Sequence, residues 1–177
     1  MSDNYTTLTF QNSNDNTFEA DSQKLVDYLV LKNLLIKNAR DEENIYRPGL
    51  KFLNILENPE YYHHVNWNYA EILKGRQIFS EAEGAHFTLR CDGCHITFEG
   101  LDSPIDTLLD DFYKNTNDEF ICPECGYKKE IRFCETKGFA AGFLGIQIWN
   151  WGSIKKEFID ELAQYMNSKI LVIEGHL

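Results

Sequence analysis

Four cysteines carry the clearest chemistry in this 177-residue chain. Cys91-Asp92-Gly93-Cys94 and Cys122-Pro123-Glu124-Cys125 are two Cys-x-x-Cys units separated by 27 residues. Each unit is a turn that brings two sulfurs within reach of one ion. Two such turns complete a tetrahedral thiolate set. Gly93 and Gly126 suit the tight backbone these turns need. Thiolate-only tetrahedral sites select zinc or iron, and Zn²⁺ is the expectation here. Four protein ligands leave no position for water or substrate, so the ion is expected to be structural.

The same cysteines admit other readings. Cys91 to His95 matches the c-type haem attachment pattern, but that pattern needs an exported chain and leaves the second unit unexplained. A redox pair would follow a strand and open a helix, whereas both units lie between strand-like stretches. An iron centre with the same ligands stays open. His95 could replace a ligand or hydrogen-bond a sulfur, but a polar residue on a strand is the favoured reading. Cys134 lies nine residues beyond Cys125, ~30 Å away in extended chain at ~3.3 Å per residue. It is expected to be a small buried hydrophobe unless the chain doubles back. His63 and His64 are adjacent and diverge on any regular element, which favours a packed or surface pair.

The elements that must position the cysteines are short. Phe87, Leu89 and Cys91 alternate with polar residues, as on a half-buried strand, and Ile96 and Phe98 alternate beyond the first unit. Between the units, Ser103-Pro104-Ile105-Asp106 reads as a helix start, followed by Ile105, Leu108, Leu109 and Phe112 on one face. Tyr127 to Cys134 reads as a further strand.

Around this lies an α+β frame. Thr7 to Phe10 reads as a strand leading into a turn. Leu25 to Ile36 reads as a largely buried helix capped by Asp21 or Ser22, and Leu50 to Leu56 as a short one. Residues 59–86 read as aromatic packing under irregular backbone, with Gly75 and Gly84 at turns. Gly145 to Trp149, a helix capped by Ser153, and the apolar run Ile170 to Ile173 make a C-terminal β-α-β unit, the last strand covered on both faces. Three segments follow, expected by length to be parts of one compact unit: a mostly helical part (1–85), a metal module (86–134) and the β-α-β unit (135–177).

The paired units, the second reading Cys-Pro-Glu-Cys-Gly, resemble a zinc ribbon built from two knuckles. The resemblance covers about residues 86–134 and implies metal binding without specifying an activity. The interval between the units is long for a minimal ribbon, which places an insertion there. The C-terminal block, with Trp149-Asn150-Trp151 and Gly175-His176-Leu177, resembles uncharacterised bacterial proteins with a central four-cysteine motif.

Charge narrows the partner classes. The formal net charge is −11. Residues 95–121 hold seven acidic groups against Lys114 alone. Phosphate-backbone binding needs clustered Lys and Arg, so the charge argues against a nucleic-acid partner. A basic protein partner fits better. With no phosphate loop, His-Glu-x-x-His or nucleophile elbow in the sequence, the leading expectation is a non-enzymatic, zinc-binding protein-interaction module. Its most concrete form is an immunity-type inhibitor of a basic toxin. The alternatives are a nucleic-acid-associated or transcription-linked ribbon, and an enzyme with scattered residues near 61–79. The first ten residues lack a basic and apolar leader and no apolar run nears ~20 residues, so a cytoplasmic protein without a membrane span is expected.

Overall fold

A computed structural model describes residues 3–37, 43–61, 68–81, 86–100 and 104–176. In chain order the elements are β1 (Asn4–Phe10), α1 (Phe18–Leu31), β2 (Leu35–Lys37), β3 (Ile45–Pro48), β4 (Tyr69–Ser80), β5 (Thr88–Arg90), β6 (Thr97–Glu99), α2 (Pro104–Tyr113), β7 (Glu119–Ile121), β8 (Lys128–Glu130), β9 (Glu135–Lys137), β10 (Phe139–Trp149), α3 (Lys156–Met166) and β11 (Ile170–His176). The class is α+β. No helix among the described residues is long and apolar enough to cross a membrane.

Six strands form the main sheet in the order β11-β1-β10-β4-β3-β2, antiparallel at every pairing. Thr7 pairs with Gln147 on one side and with Ile173 on the other. Thus β10 and β11 run parallel, as a strand-helix-strand crossover requires, but β1 lies between them. Leu8, Phe10, Ile146 and Ile148 pack against Leu25 and Leu29 of α1 and Phe158 and Leu162 of α3. Each such side chain taken out of water contributes ~1.5–3 kcal/mol.

The sheet folds over on itself. Tyr5 pairs with Trp149, and Trp149 with Tyr69, eleven residues before Ser80. In a flat sheet those eleven residues span ~36 Å, yet the Tyr5 hydroxyl donates to the Ser80 carbonyl at 2.9 Å. The bend is at a bulge. Gln77 pairs with Gly142 and Lys74 with Leu144, so Gly75 and Arg76 face Phe143 alone. Gly75 has φ +84°, a conformation that glycine adopts without a Cβ penalty. Beyond the bulge, Phe79 packs with Ala140 and Ile173.

Several expectations need correcting. The described residues of segment 1–85 are not mostly helical: they hold one α-helix, and residues 69–80 are a twelve-residue central strand, not irregular backbone. The run from Leu25 to Ile36 is divided. The helix ends at Leu31, Asn33 turns the chain with φ 60°, and Leu35 begins β2. One helix face is buried, while Leu31 is 86% exposed. Asp21 and Ser22 lie inside α1; Thr17 is its cap residue. Lys155, not Ser153, precedes α3, without a side-chain cap. Residues 131–133 form a 3₁₀ turn where a continuing strand was expected. The run Ile170 to Ile173 is an edge strand with Val172 exposed, so it is not covered on both faces. Ser103, His63, His64 and Gly84 lie outside the described residues.

Candidate metal centre

Two short hairpins present the cysteines. The first unit links β5 to β6, and the second links β7 to β8. Their backbones repeat one pattern. The Cys91 carbonyl accepts from His95 N–H at 2.8 Å, and Cys91 N–H donates to the Ile96 carbonyl at 2.9 Å. The Cys122 carbonyl accepts from Gly126 N–H, and Cys122 N–H donates to the Tyr127 carbonyl, both at 2.9 Å. The residue after each second cysteine is left-handed: Gly126 at φ 71° and His95 at φ 61°. Glycine takes that conformation without strain, whereas histidine carries a Cβ penalty. Gly93 answers a different need, because a Cβ there would lie 2.8 Å from Tyr127 Cβ and 3.1 Å from Cys125 Sγ.

The four sulfurs lie within 4.8 Å of one another. Cys91 Sγ is 3.7 Å from Cys125 Sγ, and Cys94 Sγ is 3.7 Å from Cys122 Sγ. Four sulfurs ~2.3 Å from a common centre have tetrahedral edges of ~3.75 Å. Both close pairs run between the hairpins, so an ion at the centre would tie one to the other. The Gly93 N–H also donates to Cys91 Sγ at 3.3 Å, an interaction that stabilises a thiolate. The residues present therefore fit a metal ion.

Electrostatics point the same way. Burial raises the Cys91 thiol, but the backbone N–H groups of Cys94 and Gly93 and the sulfurs of Cys122 and Cys125 outweigh it and draw the thiol down to about 7. For Cys125, the Tyr127 backbone favours the thiolate. Burial and the sulfurs of Cys122, Cys91 and Cys94 override this and push it up to about 12. Converging thiolates repel one another, and a bound cation removes that penalty.

Cys91 and Cys122 are buried, Cys94 is half-buried and Cys125 is exposed. Beneath them Leu89, Phe120, Ile105, Leu108 and Phe112 form a second core together with Phe139, Ala141 and Phe143 of β10. Arg76, at the bulge, fastens this core to the main sheet. Its guanidinium lies 4.6 Å from the Phe112 ring centre and 4.8 Å from that of Phe143. It donates to Asp118, to Asp15 at 3.0 Å and to the Phe112 carbonyl at 3.3 Å. The sequence reading missed Arg76, whose one signal was a Gly-Arg pair beside strand-like residues.

His95 is exposed and outside the sulfur cluster. Cys134 is also outside the cluster. The chain doubles back through the 3₁₀ turn, and Cys134 joins the second core with its thiol donating to the Glu130 carbonyl at 3.5 Å. Burial pushes that thiol up to about 12. The acidic interval is less bare than its composition suggests. Asp118 is held by Arg76, Asp110 by Lys114 and Glu119 by Lys128. Of the α2 carboxylates Asp106, Asp110 and Asp111, Asp110 is therefore neutralised by Lys114.

Away from the cysteines, a recess of about 500 Å³ is lined in part by Ser153, Glu174 and His176, with no hydrogen bond joining the three. Comparisons with protein-family models, curated proteins and solved structures found no match.

Proposed function

We propose that the four cysteines hold one Zn²⁺ in a zinc-ribbon arrangement, that the ion is structural, and that the protein works by binding another protein. The 3.7 Å sulfur pairs linking the two hairpins carry this reading. Sulfur donors suit zinc, and a closed four-ligand shell offers no position for chemistry. Hairpins with three-residue strands have short ladders of their own. A structural zinc, with apparent binding free energies of ~10–16 kcal/mol, would tie one hairpin to the other.

The partner that fits is basic. Zn²⁺ with four thiolates carries a net charge of −2, with Glu124 inside the second Cys-x-x-Cys turn; Glu124 and Asp106, in the first turn of α2, are exposed and have no ion-pair partner among the described residues. An immunity-type inhibitor that neutralises a basic toxin is the concrete form of the proposal. Cross-linking of the purified, zinc-loaded protein to partners captured from its own cells tests it. Carboxylate-to-lysine links should fall on Asp106 and Glu124, and Asp106→Lys/Glu124→Lys should abolish capture with zinc content unchanged. Capture of nucleic acid alone, or capture indifferent to the charge reversal, would overturn the basic-partner reading.

A further inference from the structure

A second surface, far from the cysteines in sheet order, carries a different signature. Leu31, the last residue of α1, is 86% exposed, and Leu50 is 89% exposed. They stand at one corner. Asn33, two residues after Leu31, accepts from Lys51 N–H at 3.0 Å through its carbonyl and from Leu50 N–H at 3.4 Å through its side chain. Gly49 N–H donates to the Leu34 carbonyl at 2.7 Å. The corner adjoins β2, the edge strand of the main sheet, where Ile36 is 46% exposed. Single exposed leucines need no explanation. Two nearly complete leucine side chains on segments that Asn33 ties together, next to the edge strand of the main sheet, mark a docking surface.

The rim of this corner selects the occupant. Lys37, Arg47 and Lys51 are exposed and have no ion-pair partner among the described residues, and Arg47 pairs across the ladder with Ile36. Asp27, on α1, already accepts from Gln23. Lys32 is already paired with Glu161. In a chain of net charge −11, three cations without an ion-pair partner among the described residues, beside an apolar corner, oppose the overall balance. We infer that the corner formed by Leu31, Leu50 and the β2 edge binds a segment of a partner protein that combines large apolar side chains with carboxylates. The leucines supply contact area, while Lys37, Arg47 and Lys51 supply orientation and encounter rate. The surface is independent of the metal site, and its proposal stands or falls separately.

Panning a random dodecapeptide phage library on the full-length, zinc-loaded protein tests this, with counter-selection on Leu31→Asp/Leu50→Asp. Both leucines are exposed, so that variant should keep the wild-type zinc content and melting temperature. Peptides retained by the wild type and lost on the variant should be enriched in both acidic and large apolar residues. Arg47→Glu/Lys51→Glu, which leaves the leucines in place, should weaken a selected synthetic peptide at least tenfold, and raised salt should weaken it further. Failure to enrich any peptide by subtraction, or enrichment of basic peptides, would overturn the proposal. A dimer in sedimentation velocity that the leucine variant dissolves would also overturn it, by showing that a second copy of the chain covers the corner.

Discussion

Replacing Arg76 with Met should loosen the second core from the main sheet. The Arg76 side chain is 10% exposed, whereas Asp118 and Asp15 are 40% and 58% exposed. A charge-assisted hydrogen bond to a buried group is worth ~1.5–3 kcal/mol, but these carboxylates keep much of their hydration, which moves the ion pairs toward the surface value of ~0.2–1 kcal/mol. Stacking of the cation on Phe112 and Phe143 adds ~0.5–1 kcal/mol, and the Phe112 carbonyl loses one of its two donors, keeping Asn115 N–H at 3.1 Å. Methionine retains the apolar stem, so these contributions are isolated from packing. Arg76→Met should therefore cost ~2–3 kcal/mol. In a chain of this size that lowers the melting temperature by ~5–10 °C. Urea unfolding followed by tryptophan fluorescence measures the first quantity. Zinc release to a chromogenic chelator, which should accelerate, reports whether the loosening reaches the hairpins. A loss below ~0.5 kcal/mol, the range of an ordinary surface substitution, with unchanged zinc release would refute the assignment of Arg76 as the fastening group.

Chelation should raise hydrogen exchange in residues 88–134 first and leave α1, α3 and their strands protected; uniform loss would mean that the two cores melt as one. Gly93→Ala should weaken metal binding at least tenfold, because its Cβ would meet Tyr127 and Cys125, whereas His95→Gly should bind as the wild type does and gain slightly in stability; a competition titration with a metal indicator separates the two. Hydrogen bonds from Lys32 and Tyr28 hold the Glu161 carboxyl below its ordinary range. That contribution is present above the unfolded value of ~4.3 and is lost as pH falls through the lower folded value, so Glu161→Gln should reduce the difference in urea midpoint between about pH 7 and about pH 3; an identical difference in both proteins would argue against it.

The candidate metal site was legible because its signal is local: ligand type and spacing lie within four residues. The α2 face was legible for the same reason, since Ile105, Leu108 and Phe112 repeat at helical spacing and are buried together. What failed depends on distant chain. In β4, Glu71, Lys74 and Arg76 interrupt the apolar pattern because a bulge and a bend give the strand varied surroundings, and Gly75 looks like a turn although it sits in a ladder. In β10, residues 139–146 are buried without alternation, because both faces of the folded sheet are covered there. The run Ile170 to Ile173 looks like a central strand, and only the placement of β1 makes it an edge. Arg76 was invisible because its partners lie at least 36 residues away in the chain: Phe112 at 36, Asp118 at 42 and Asp15 at 61.

X-ray absorption at the zinc edge, on protein purified without chelator and with metal content measured on the same sample, tests the central claim most directly. The account predicts one zinc per chain with four sulfur neighbours at ~2.3 Å and no nitrogen or oxygen in the shell, and loss of that shell in Cys91→Ser/Cys122→Ser. Metal-free protein, a shell containing nitrogen or oxygen, or full zinc retention in the double variant would contradict it.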